Sequence, residues 1–96
     1  MASDELFLMV LESVANDYEQ LEQIADQIAK WTDTPLDRLD VEKIRATLAD
    51  AINSGYIDAY EINSHAVRVA MTSTNLHRCW FFISELGKAR CRETSE

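Results

Sequence analysis

Apolar positions in the first half of the chain recur at helical spacing in three blocks, and beyond Gly55 they switch to short alternating runs. The first block holds Leu6, Phe7, Leu8, Met9, Val10 and Leu11 in succession, extended by Val14 and Ala15. Ser3 can cap its start, and Asp4 and Glu5 meet the positive end of the helix dipole, so a helix over about 4–15, buried on most sides, is predicted. Tyr18, Leu21, Ile24, Ala25, Ile28 and Ala29 predict a second helix over 18–30, with Asp17 and Gln20 as a capping box. Its other face, Glu19, Glu22, Gln23, Asp26 and Gln27, reads as a solvated surface. Val41, Ile44, Leu48, Ala51 and Ile52 predict a third helix over 41–54, capped by Asp40 and stopped at Gly55. Trp31 to Asp40, with Thr32, Asp33, Thr34 and Pro35, is a connector with room for a short helical turn.

After Gly55 the residues Tyr56 to Ile62 are aromatic and β-branched in a run too short for a helix, and Arg78 to Ile83 repeat that pattern. Both are predicted strands. Ala66 to Met71 is a candidate third strand or edge inside the long polar segment Asn63 to His77. Ser84 can then cap a last helix from Glu85 to about Arg92, weakened by Gly87. Alternation puts Trp80 and Phe82 on one face of the last strand and Phe81 and Ile83 on the other, while Tyr56 and Tyr60 alternate with Ile57 and Ala59 on the first. Such a sheet is apolar on both faces. Tyr56, Tyr60, Trp80 and Phe82 are therefore the candidate partner surface, weighed against burial beneath the last helix and the long loop.

Three helices followed by a hairpin is the order of the winged helix-turn-helix superfamily, and two phrases carry the resemblance. Leu48 followed by Asn53, Ser54, Gly55, Tyr56 and Ile57 resembles the passage in which a recognition helix turns into the first wing strand. Phe82, Ile83, Ser84, Glu85, Leu86, Gly87 and Lys88 resemble the ending at which the last wing strand enters a C-terminal helix. The resemblance implies an α+β winged-helix domain over residues 1–96: a three-helix bundle, a β-hairpin wing and a short C-terminal helix. By it, helices 18–30 and 41–54 form the helix-turn-helix pair and residues 63–77 the wing. A DNA-binding regulator of this kind would use Lys43, Arg45, Thr47 and Asn53 in a groove and Arg68 and Arg78 on the wing.

Charge changes that picture. The 96 residues hold 17 acids against 9 bases, a formal charge of -8. Residues 1–40 hold ten acids and two bases, and residues 41–96 hold seven of each, so the whole excess lies in the first part. On the third helix Glu42 and Asp50 offset Lys43 and Arg45, and phosphates approaching the second helix would meet Glu19, Glu22 and Asp26. The expected function is accordingly a non-enzymatic interaction module that binds protein first, with the DNA-binding regulator as the alternative. The apolar first helix and two-faced strands also suggest self-association, most simply as a homodimer.

The remaining chemistry is sparse. His65, His77, Cys79 and Cys91 could ligate zinc, and on a strand His77 and Cys79 would share a side, but they lack the close pairs that bring four ligands together. No metal, cofactor or catalytic residue is expected, because no Gly-rich phosphate loop, elbow serine or paired-carboxylate phrase occurs. Two thiols in a chain with 47% hydrophobic residues do not form a disulfide framework, which points to a reducing, cytoplasmic setting. The longest apolar run, Leu6 to Leu11, falls far below the roughly 20 residues of a membrane helix, so no membrane association is expected.

Overall fold

The computed structural model describes residues 2–72 and 74–94, and of residues 2–4 and 94 the backbone only. The elements are α1 (Ala2–Ser13), α2 (Leu21–Thr32), a 3₁₀ turn (Leu36–Arg38), α3 (Val41–Asn53), β1 (Ile57–Ile62), β2 (Ala66–Val69), β3 (Trp80–Ile83) and α4 (Glu85–Thr94). The strands form one antiparallel sheet in the order β2-β1-β3, so the class is α+β, with four α-helices and three strands among the described residues. Among the described residues no helix is long and apolar enough to cross a membrane.

Helix α1 ends at Ser13, two residues short of the predicted end, where the buried Ser13 hydroxyl donates to the Val10 carbonyl at 2.7 Å. The predicted cap at Ser3 lies outside the described side chains. Val10, Leu11 and Val14 are fully buried, and Leu6 to Met9 pack half-buried against the same core. The apolar circumference of this helix is thus largely used within the chain, which removes one of the two grounds for expecting self-association.

Helix α2 starts three residues later than predicted. Asp17 does not open it; its Oδ1 accepts from the Tyr18 N–H at 2.8 Å in a turn. The box forms at Gln20, whose N–H donates to Gln23 Oε1 at 2.8 Å. Tyr18 and Glu19 stay outside the helix because Glu19 pairs with β3: its N–H donates to the Phe81 carbonyl at 3.0 Å and its carbonyl accepts from the Phe81 N–H at 2.7 Å. At the other end Asp33 adopts φ 52°, the left-handed conformation that closes a helix, and the Thr34 N–H donates back to the Ala29 carbonyl at 2.9 Å.

Helix α3 starts where predicted and ends at Asn53, one residue short of the predicted end, with Asp40 Oδ1 accepting from the Lys43 N–H at 3.1 Å and Gly55 at φ 82° beyond the Ser54 cap. The Tyr56 N–H still donates to the Ala51 carbonyl at 2.9 Å, which ties that residue to the helix terminus and delays β1 to Ile57. Arg78 and Cys79 likewise donate to the Asn75 carbonyl, at 2.9 and 3.1 Å, so they belong to a turn and β3 begins at Trp80. The candidate strand near Ala66 is present as β2. Ile57 stands opposite Ile83 and Ala59 opposite Phe81, and these four buried residues form the sheet's inner face. They pack with Ile44, Leu48 and Ala51 of α3, Ile24 and Ile28 of α2, and Val10 and Leu11 of α1 in one core. Helix α4 begins as predicted after Ser84, whose Oγ accepts from the Gly87 N–H at 3.1 Å and donates to the Gly55 carbonyl at 2.5 Å. It runs on to Thr94, two residues beyond the predicted end.

Candidate protein-interaction surface

With Ile57, Ala59, Phe81 and Ile83 turned inward, strand alternation turns Asp58, Tyr60, Trp80 and Phe82 to the opposite face. Tyr60 stands opposite Trp80 and Asp58 opposite Phe82, so the aromatic side chains are cross-strand neighbours. Tyr18 lies over them: its ring stacks on Phe82 with centroids 4.9 Å apart and planes inclined by 29°, and meets the edge of Tyr60 at 5.2 Å. Tyr18, Tyr60, Trp80 and Phe82 each remain half-buried.

The rim is charged. Lys88 of α4 holds its ammonium 5.7 Å from the Phe82 ring centroid, and Arg68 of β2 reaches Asp58 at 3.8 Å. Burial first, then the Asp58 carboxylate, push the Tyr60 phenol above its ordinary value.

Three of the four residues singled out in the sequence therefore meet on one face. Tyr56 does not, because it precedes the sheet and turns to the core, meeting Phe7 edge-on at 5.6 Å. Tyr18 was the missed member. Its signal was the turn chemistry of Asn16 and Asp17 just before it, which competes with helix propagation.

The side chains suggested for groove reading are dispersed or already engaged. Arg45 donates to Glu42 Oε2 at 2.7 Å, a pairing that draws the Glu42 carboxyl below its usual range and raises the guanidinium's. The Thr47 hydroxyl donates to the Lys43 carbonyl at 2.7 Å. Lys43 borders a cleft with Leu6, Met9, Leu39 and Asp40, and Asn53 is the exposed last residue of α3. Arg68 is paired with Asp58, while Arg78 borders a polar depression with Glu61 and Asn63.

His77 lies in the turn before β3, exposed, while Cys79 is buried, so the strand relation that would have put them on one side is not formed. Among the described residues no group of three or more His, Cys, Asp or Glu side chains is placed to hold a metal ion. Both cysteines are free thiols, and burial raises each above its ordinary value. A second, largely apolar surface is a groove of about 330 Å³ lined by Leu21, Glu22, Ala25, Leu36, Val41 and His77, with Leu36 53% and Val41 40% exposed. Comparison with protein-family models, with curated proteins and with solved structures gave no match.

Proposed function

We propose that this chain is a non-enzymatic interaction module of winged-helix type, which binds a protein partner through the outer face of its sheet. The element order, three helices, a three-stranded antiparallel sheet and a terminal helix, supports the winged-helix assignment. In that layout the wing spans the β1–β2 turn and the segment leading to β3. The observation that carries the functional reading is the cluster of Tyr18, Tyr60, Trp80 and Phe82 on the side of the sheet away from the core. Aromatic side chains offer large contact area at little entropic cost and are enriched at interface centres. The surrounding Asp58, Arg68 and Lys88 suit a partner with an apolar centre and polar margins of both signs.

Two further observations support it over the alternatives. Burial raises both thiols above their ordinary value, the opposite of the lowering that activates a nucleophilic cysteine, and free cysteines accord with a reducing, cytoplasmic setting. Of the cations suggested for DNA, Arg45 and Arg68 already face carboxylates in a molecule of net charge -8.

The test compares the native protein with a Tyr60→Ser, Trp80→Ser double variant as bait in nuclease-treated extract. A protein retained by the native form and lost by the variant, with the variant's far-ultraviolet circular dichroism unchanged, is the expected result. Equal retention by both baits overturns the assigned face. Recovery of a defined duplex motif at about 150 mM salt, abolished by Lys43→Ala and Arg45→Ala, would replace the reading with that of a regulator.

A further inference from the structure

We propose that two copies of this chain pair through the open edge of β2, antiparallel and with the two-fold axis at Val67, joining their sheets into one. The sheet has two outer edges, and they are treated differently. At β3, Phe81 exchanges both backbone hydrogen bonds with Glu19, and the Ile83 N–H donates to the Val14 carbonyl at 3.0 Å. That edge is closed. At β2, no described residue pairs with the side away from β1.

The bonding pattern identifies which groups are open. In a strand the N–H and C=O of one residue point to the same side, and those of its neighbours to the other. Phe81 spends its pair on Glu19, so it faces Ala59 without bonding it, and Ala59 turns its own pair toward Val69 on β2. Val69 and Val67 are then the β2 residues bonded to β1, and Ala66 and Arg68 direct their N–H and C=O groups outward. Beyond them the Ala70 carbonyl is already occupied, accepting from Asn75 Nδ2 at 2.9 Å. What remains is a template for one short extended strand.

The register names the second strand as another β2. With the axis at Val67, Ala66 faces the partner's Arg68 and Arg68 faces the partner's Ala66, so every outward group on both strands meets its complement. Val67, 51% exposed, faces the partner's Val67 in a non-hydrogen-bonded pair, where side chains approach most closely. An axis at Arg68 would oppose two guanidinium-bearing residues, and one at Ala66 would run Arg68 into the turn at residues 63–65. With the axis at Val67 the two Arg68 side chains stand diagonally, and each keeps its own Asp58.

The pairing is short, so a weak, reversible dimer is expected. Sedimentation of the native protein from micromolar to about 1 mM should show the mass rising from monomer to dimer. Arg68→Pro removes an outward N–H and no bond to β1, and should abolish the dimer; Arg68→Ala, which keeps that N–H, should retain it. Val67→Cys should form a disulfide-linked dimer under mild oxidation, whereas Ala66→Cys and the native protein should not. The cysteine comparison decides the matter if the proline variant fails to fold. A monomer throughout, a dimer unaffected by Arg68→Pro in a folded variant, or equal crosslinking at residues 66 and 67 would overturn the proposal.

Discussion

Glu19 and Phe81, far apart in sequence, exchange both of their backbone hydrogen bonds, at 3.0 and 2.7 Å. This single bridge ends β3 as a paired edge, holds the chain before α2 in extended form and sets Tyr18 above the sheet's outer aromatic residues. The location has a consequence for the Glu19 side chain, because a carboxylate placed against a sheet loses water.

Partial burial first, then the nearby Asp17 carboxylate, raise the Glu19 carboxyl above its ordinary value. A carboxyl with a raised pKa in the folded state binds its proton more tightly there than in the unfolded chain. The charged form therefore costs stability above the folded pKa, and the cost fades as pH falls through that value toward the unfolded one. Glu19→Gln should raise the thermal midpoint at pH 7 and leave it nearly unchanged at a pH below the unfolded carboxylate range. A midpoint lowered by the substitution at pH 7 would show that the carboxylate is favourably partnered. The bridge itself uses only backbone groups and should survive in the variant.

Gly87 gives a prediction whose sign opposes helix propensity. In an exposed helix Gly→Ala gains about 1 kcal/mol. Here a Cβ would run into the Tyr56 carbonyl and stand 2.6 Å from Ile83 Cγ1. That carbonyl is fixed, since it accepts from the Ser84 N–H at 2.9 Å. Gly87→Ala should accordingly destabilise by about 1–3 kcal/mol, seen as a lower urea midpoint at unchanged slope. An increase in stability would mean that α4 can move away from β3.

The thiols offer a chemical readout of packing. Cys79 has no exposed surface and a pKa raised by burial first and then by Glu61. In the native state it should react with an alkylating reagent only after local or global opening, while the half-buried Cys91 reacts sooner. Peptide mapping after timed alkylation at pH 8 checks the order. Faster labelling of Cys79 would place the turn before β3 among the loosely held parts of the chain.

How far the sequence predicts these features depends on whether the deciding interaction is local. Helix α3 is legible because Asp40 and Gly55 act on their own helix within a few residues. The Asp17–Gln20 spacing looked equally local, yet Tyr18 and Glu19 are held extended by Phe81, a partner no window around residue 18 contains. Alternation divides Trp80 and Phe82 from Phe81 and Ile83, but only the packing of α3 on β1 determines which pair faces the core. Tyr56 shares its parity with Tyr60 and still leaves that face, because its N–H is committed to Ala51 at the end of α3. The same distinction explains why Gly87 reads as a weak helix residue in sequence and as a close contact in three dimensions.

Tyr18 is the residue on which the outer face depends most. Its ring stacks on Phe82 and meets Tyr60 edge-on, two contacts of a kind worth about 0.5–1.5 kcal/mol each beyond area burial. It reaches them from an extended segment fixed by the adjacent Glu19 bridge, so removing the ring should leave the backbone in place and uncover Phe82 and Tyr60. Tyr18→Ala is expected to lower stability by about 1–3 kcal/mol, whereas Tyr18→Phe, which keeps the ring, should change it by less than about 0.5 kcal/mol. If these aromatic side chains are the docking surface, Tyr18→Phe should also retain the partner and Tyr18→Ala should weaken it. The two variants thus distinguish the ring's contribution from the hydroxyl's in the same pair of measurements. Equal destabilisation by both would assign the contribution to the hydroxyl and would require a hydrogen bond there, which contradicts the stacked arrangement as the source of the cohesion.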